Sequence, residues 1–317
     1  MKIYRKSFFY LVLFVVVLIS CSKNELQPRN YETENVIVIV MDGARYSETW
    51  GDPSHQYIPK IANYITPLGI VNTRFYHNGE TFTVPGHTAL ATGFYENINN
   101  GGTELPENPS IFQYWRSTYH TPQNKSWVIA SKGKIEVIGN CSKENWQGQF
   151  TPMTDCGVDG LGASSGYRHD SLTYNKTIEI LSNDHPNLAI INFREPDYSG
   201  HMNDWQAYVQ GIQEVDDYIY RIIQFIENDS IYQGTTTVFI TNDHGRHLDE
   251  IADGFCSHGD DCQGCKHINL FCYGPDFKTN TIVSQDRELI DIPATIAELL
   301  HFEIHNSNGQ IMTELFK

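Results

Sequence analysis

Six residues able to ligate a metal, Asp42, Asp197, His201, Asp243, His244 and His258, are set along this chain in a telling pattern. Asp42 closes the apolar run 35–41. Glu195 and Asp197 follow the run 188–193, and Asp243 and His244 follow 236–241. Carboxylates and imidazoles suit zinc, which takes about four such ligands, and two ions some ~4 Å apart clamp the attacking and leaving oxygens of a displacement. The spacing Asp197-x-x-x-His201 joins two ligands where a strand end turns into a helix. The adjacent pair Asp243-His244 can reach two ways at a strand end, where successive side chains diverge. Taken singly, each has a plainer reading: Asp42-Gly43 as a turn, Asp197 as a helix cap, any lone His as a surface residue. Their conjunction at strand ends favours a metal site.

Strand-like runs alternate with helical patterns, which is the signature of an α/β fold: a central, mostly parallel sheet with helices on both faces. Residues 35–41 (NVIVIVM) are β-branched and continuous, as a buried central strand requires. Further strands are expected at 127–130, 188–193, 236–241 and 268–273. Apolar spacing of three and four predicts helices near 86–93, 171–183, 204–227 and 288–300. The Gly-, Asn-, Ser- and Pro-rich regions 96–125 and 141–170 read as long loops over the sheet, where substrate-binding residues vary most. In open sheets of this kind the active site lies beyond the carboxyl ends of the strands, so the polar residues above converge on one cleft.

Several segments together resemble the type I phosphodiesterase/nucleotide pyrophosphatase branch of the alkaline phosphatase superfamily. Val38-Ile39-Val40-Met41-Asp42-Gly43-Ala44-Arg45 is similar to its opening signature, and Thr83-Val84-Pro85-Gly86-His87-Thr88-Ala89-Leu90-Ala91-Thr92-Gly93 to its nucleophile motif. Glu195-Pro196-Asp197-Tyr198-Ser199-Gly200-His201, Asp243-His244-Gly245, His258-Gly259 and Tyr273-Gly274-Pro275 follow in the family's order. Ile290-Asp291-Ile292-Pro293-Ala294-Thr295-Ile296 is similar to the helix that commonly ends this catalytic domain.

The resemblance implies two zinc sites, with other divalent ions able to substitute. One is formed by Asp42, Thr83, Asp243 and His244, the other by Asp197, His201 and His258. It makes Thr83 the nucleophile of a phospho-threonine mechanism, with the amides of the helix it precedes facing the phosphoryl oxygens. Three points depart from the family pattern or stay open. Gly86 stands where the branch usually has Asn. The asparagine that holds a non-bridging oxygen is Asn100 in preference to Asn99. His258 is preferred to His267, because His-Gly followed by Asp matches the family's block. A sulfatase would need Cys or Ser in place of Thr83 and Arg in place of His87.

The implied activity is phosphoester hydrolysis, on phosphodiester or nucleotide-like substrates. A phosphomonoesterase or phosphonate hydrolase with the same site is the alternative, for which Arg45, Arg168, Arg194 and Arg246 are possible anion contacts. From a different class, a non-catalytic envelope-binding lipoprotein would be expected to have lost ligands.

The formal charge of −16 argues against bulk nucleic-acid binding, and no protein partner is predicted. The basic start Lys2 to Lys6, the apolar run 8–19 and Cys21 read as a lipoprotein signal peptide (1–20). A lipid-anchored tether (21–34) and a catalytic domain (35–317) follow, so the chain is expected at the bacterial cell envelope, held to membrane through lipid on Cys21. Six further cysteines in an exported chain suggest disulfides. Cys141–Cys156 is the preferred pair and Cys262–Cys265 a weaker one. As a zinc knuckle, Cys262-x-x-Cys265 lacks a second CxxC to complete four ligands.

Overall fold

A computed structural model describes residues 30–317, and the expected signal peptide, Cys21 and most of the tether lie outside them. Tyr31–Lys317 forms one compact unit. Its strands are β1 (Asn35–Met41), β2 (Ile70–Tyr76), β3 (Ser126–Ala130), β4 (Met153–Cys156), β5 (Leu188–Phe193), β6 (Thr236–Thr241), β7 (His267–Tyr273), β8 (Thr281–Val283) and β9 (Arg287–Glu288). They make one sheet in the order β4-β3-β5-β1-β6-β7-β2-β8, with β9 also paired to β2. Only β7, which pairs antiparallel with both β6 and β2, opposes the common direction. The helices are α1 (Thr83–Thr92), α2 (Ile111–Tyr119), α3 (Asp170–Asn183), α4 (Asp197–His201), α5 (Trp205–Asn228), α6 (Gln263–Lys266) and α7 (Asp291–Leu299).

β1 shows why the sheet is buried on both faces. Its alternate side chains Val36, Val38 and Val40 pack with α1, α2 and α7, while Ile37, Ile39 and Met41 pack beneath α3 and α5. The 24-residue α5 presents Tyr208, Ile212, Val215, Ile219, Ile222 and Ile226 as one buried stripe, the spacing of a helix laid on a sheet. Asp204 caps it by accepting from the Ala207 amide at 3.0 Å.

Two expectations need correction. The regions 96–125 and 141–170 are not all loop: β4 lies within the second, paired with β3, and α2 within the first, started by a capping box in which Ser110 and Gln113 bond each other's backbone. Nor are the described cysteines paired, since all six are free thiols. The Cys156 thiol on β4 turns inward to the Val128 carbonyl at 3.6 Å, whereas the Cys141 thiol lies against the Gln113 side chain. Cys262 accepts from the amide of Cys265 at 3.4 Å instead of bonding its sulfur. Among the described residues no helix is long and apolar enough to cross a membrane.

Candidate active site

The carboxyl ends of β1, β3, β5 and β6 meet the N-terminus of α1 at one buried point. Asp42, Thr83, Asp197, Asp243 and His244 are each no more than 3% exposed there. Beyond β5 the chain turns into the short α4, so Asp197 and His201 stand one helical turn apart. Their partner from the 254–260 loop is His258. Nε2 of His201 and of His258 lie 3.1 Å apart, and each is 3.3 Å from Asp197 Oδ1. His258 Nδ1 is 2.7 Å from the Thr81 carbonyl and must donate to it, which leaves the lone pair on Nε2 facing the cluster. His267 is elsewhere, its Nε2 on the Thr73 carbonyl at 3.1 Å and its ring stacked on Tyr46.

The second group is Asp42, Asp243 and His244. His244 Nε2 lies 3.4 Å from Asp243 Oδ2 and 3.7 Å from Asp42 Oδ1, while its Nδ1 is held by the Gly245 carbonyl at 2.9 Å. Asp243 Oδ2 and His244 Nε2 are both buried without a hydrogen-bond partner. Such orphaned atoms are costly unless something binds them, and a carboxylate beside an imidazole lone pair is a donor set that a divalent ion fits. His244 also stacks on His258 at 3.8 Å, so it stands between the two groups. His87 is equally close, with Nδ1 3.4 Å from Asp243 Oδ2. Both its nitrogens are engaged, however, by the Thr83 carbonyl at 2.8 Å and Asn192 Nδ2 at 3.2 Å, which makes it a brace for the turn that carries Thr83.

Asn100, not Asn99, reaches this turn: its Oδ1 accepts from the Val84 amide at 2.9 Å, while Asn99 bonds Thr103 and Gly101 in its own loop. The amides of α1 are therefore less available to a ligand than its position implies. Val84 gives its N–H to Asn100, Pro85 has none, and Gly86 donates to the Phe82 carbonyl at 2.9 Å. Gly86 itself is required by contact. A Cβ there would lie 2.4 Å from the Asp243 carbonyl oxygen, so α1 can approach Asp243 only with glycine.

The residue that sequence reasoning missed is Lys132. It stands just past β3, fully buried, with Nζ 2.7 Å from Asp42 Oδ1, 2.6 Å from Asp197 Oδ2 and 3.3 Å from Thr83 Oγ1. Its position beyond an apolar strand was the same signal that marked Asp42, but lysine at such a place usually reaches solvent. Lys134, also missed, bonds Asn100 Oδ1 at 3.0 Å. Of the four arginines considered, Arg45 is tied to Glu48 and Asp249, Arg168 to Asp155, and Arg194 lies over the Tyr198 ring. Arg246 alone enters the cluster, bonding Asp197 and the carbonyls of Phe255 and Cys256.

The electrostatics follow from this crowding. Burial, then the neighbouring Asp243, pushes the Asp42 carboxyl up to about 7 against the pull of Lys132. Burial acts the same way on Asp197, but Lys132, His201 and His258 outweigh it and hold the group well below the usual range. Burial disfavours the charged form of Lys132, yet Asp197 and Asp42 raise its pKa overall. Burial, then Lys132, brings Lys134 down to about 8.

A buried cluster of carboxylates and imidazoles at the carboxyl edge of a mostly parallel sheet, beside a helix-borne threonine, defines an alkaline phosphatase-like metalloenzyme. The sequence profile of the Metalloenzyme superfamily matches residues 82–304, well over half the chain, and the protein belongs to that superfamily. Among curated proteins it is 25% identical over 271 residues to GPI ethanolamine phosphate transferase 1 of Candida glabrata, covering 78% of this chain and 28% of the relative. It is 28% identical over 184 residues to phosphopentomutase of Clostridium novyi, covering 57% and 44%. The chain thus spans less than a third of the length of the transferases it matches. In fold it is similar to murine ectonucleotide pyrophosphatase/phosphodiesterase 5, with a TM-score of 0.64, 15% identity and coverage of 89% of this chain and 100% of the other. The phosphonate monoester hydrolase of Silicibacter pomeroyi also gives a TM-score of 0.64, at 14% identity over 89% and 76%.

Proposed function

We propose that this chain is a two-metal phosphoester hydrolase in which Thr83 is the nucleophile, acting on phosphodiester or nucleotide-like substrates. The observation that carries the reading is the pair of ligand groups flanking Thr83, one with orphaned buried atoms on Asp243 and His244 and one with His201 and His258 closing on Asp197. Two divalent ions, zinc by donor type, held by Asp42, Thr83, Asp243 and His244 and by Asp197, His201 and His258, would acidify the threonine hydroxyl and neutralise phosphoryl charge.

The chain's own residues do the rest. Thr83 Oγ attacks phosphorus, forming an O–P bond as the ester O–P bond breaks and the leaving alkoxide takes a proton. Water then attacks the phosphorus of this threonyl intermediate, breaking the Thr83 O–P bond, restoring the hydroxyl and releasing the phosphate monoester that keeps the substrate's second ester group. His87 holds the backbone of the nucleophile turn through the Thr83 carbonyl. Lys132, close to Thr83 Oγ1, holds a non-bridging oxygen. With its Oδ1 engaged, Asn100 offers its amide donors to a second one. The structural relative's name, ectonucleotide pyrophosphatase/phosphodiesterase, agrees with a nucleotide-like ester. An envelope location through lipid on Cys21 belongs to the same reading, supported by the basic and apolar leader before it.

A monoesterase or phosphonate hydrolase reading draws on Lys132 and Lys134, which supply the extra positive charge a dianionic group needs. Turnover of bis- and mono-p-nitrophenyl phosphate by the zinc-loaded protein separates the two. Higher kcat/KM on the diester is expected, and strong preference for the monoester would overturn the choice. Activity on neither would overturn both as general phosphoesterases.

A further inference from the structure

Outside the catalytic cluster a second set of ligand-type side chains converges, and it resolves the CxxC that lacked a sequence partner. The ligand atoms of His247, Asp260, Cys262 and Cys265 all lie within 4.8 Å of one another. His247 is only 6% exposed, and its Nε2 is buried without a hydrogen-bond partner, although Asp260 Oδ2 is 3.2 Å away. Its other nitrogen is anchored, 3.1 Å from Asp253 Oδ1 and 3.2 Å from Ser257 Oγ. That is the carboxylate–histidine arrangement that orients an imidazole for metal binding.

We propose that these four side chains bind one structural zinc ion. Two thiolates, an imidazole and a carboxylate form a closed set of the kind zinc prefers, and zinc–sulfur bonds of ~2.3 Å with zinc–nitrogen bonds of ~2.0 Å put tetrahedral ligands somewhat under 4 Å apart. The cluster needs only a small contraction to reach that spacing. Its backbone already has a knuckle's form. The Cys265 amide donates to Cys262 Sγ at 3.4 Å, and the Cys262 amide to Asp260 Oδ1 at 2.9 Å. Gly264 lets the turn sit on the chain after β6, since a Cβ there would lie 2.4 Å from the Arg246 carbonyl oxygen.

The consequence is positional. His247 and Cys265 bracket the loop that carries His258, so a metal joining them staples that loop beside the catalytic cluster. Thr81 completes the tie, its hydroxyl donating to the Asp260 carbonyl at 2.8 Å and its own carbonyl holding His258 Nδ1. His258 thus owes its place to this staple as well as to Arg246.

The test is reconstitution of the full chain with cobalt(II), read by thiolate-to-cobalt charge-transfer absorption in the near ultraviolet. The catalytic cluster contains no cysteine, so this signal is independent of how that cluster is read. The expected result is the band in the parent chain, its loss in Cys262→Ser/Cys265→Ser, and one fewer equivalent of bound zinc in that variant. Protection of both thiols from iodoacetamide until chelator is added should accompany it. No band in the parent overturns the proposal, as does an intact mass two hydrogens low from a Cys262–Cys265 disulfide. Should the double variant fail to fold, His247→Ala supplies the comparison, and the parent's band still decides.

Discussion

Replacing Lys132 with methionine removes the one ammonium that joins Asp42, Asp197 and Thr83. In metal-free protein the cost has two parts. Loss of the charge-assisted hydrogen bonds costs ~1–2 kcal/mol wherever Asp42 can take up a proton instead. Where it cannot, an uncompensated buried charge brings the penalty to ~3–5 kcal/mol. The pH decides between them. Asp42 is a carboxyl whose folded pKa is raised to about 7 from 3.8. Between those values the folded state binds more protons than the unfolded one, so this group's stability contribution falls as pH rises and is fully spent above 7. Without Lys132 the folded pKa climbs further and the fall continues past pH 7, at up to ~1.4 kcal/mol per pH unit. Urea unfolding in chelator at pH 6, 7, 8 and 9 should therefore show a parent–variant gap that is small at pH 6 and widens to ~3 kcal/mol or more by pH 9. Saturating zinc should narrow it, because bound cations take over neutralisation of the same carboxylates. A gap independent of pH, or none, would refute the reasoning.

Two other substitutions probe the helix that carries Thr83 and the proposed anion contacts. Gly86→Ala sets a methyl 2.4 Å from the Asp243 carbonyl oxygen and should destabilise by ~1–3 kcal/mol in urea unfolding, with hydrolysis falling as Asp243 is displaced; wild-type stability and activity would show that α1 moves freely. Lys134 has its pKa lowered to about 8, so its charge is present below that pH and lost above it. For an anionic ester, kcat/KM should decline through that limb, and Lys134→Met should be ~10–100-fold slower at pH 7 and should lack the limb; persistence of the limb in the variant would assign it elsewhere.

Much of this architecture was legible because buried parallel strands leave plain sequence marks. Runs such as 35–41 and 188–193 are apolar throughout and end abruptly in polar residues, which names both the strand and the cleft beyond it. β2 was harder to see. Its register shifts between Asn72 and Phe75, and the irregularity masks the alternation of Ile70–Tyr76. The helix α2 had its signal in Ser110-x-x-Gln113, hidden among turn-forming residues. Within the site, Asn100 against Asn99 and His258 against His267 are choices between like residues one or nine positions apart, and only the path of the backbone separates them. Lys132 carried no motif at all. Its role arises from two carboxylates and the Thr83 hydroxyl, brought together from distant parts of the chain, which no local pattern encodes. The partners of the CxxC were invisible for a similar reason: His247 and Asp260 reach it through the fold of a loop.

The most direct test of the central claim is metal content and bis-p-nitrophenyl phosphate hydrolysis, measured on the parent chain beside its Thr83→Ala derivative. Metal held by Cys262 and Cys265 is counted apart, as the equivalent that the cobalt–thiolate band reports. Near two zinc per chain besides that one, with hydrolysis abolished by Thr83→Ala, is the expected result. Absence of metal from the cluster, or full activity without the Thr83 hydroxyl, would contradict it.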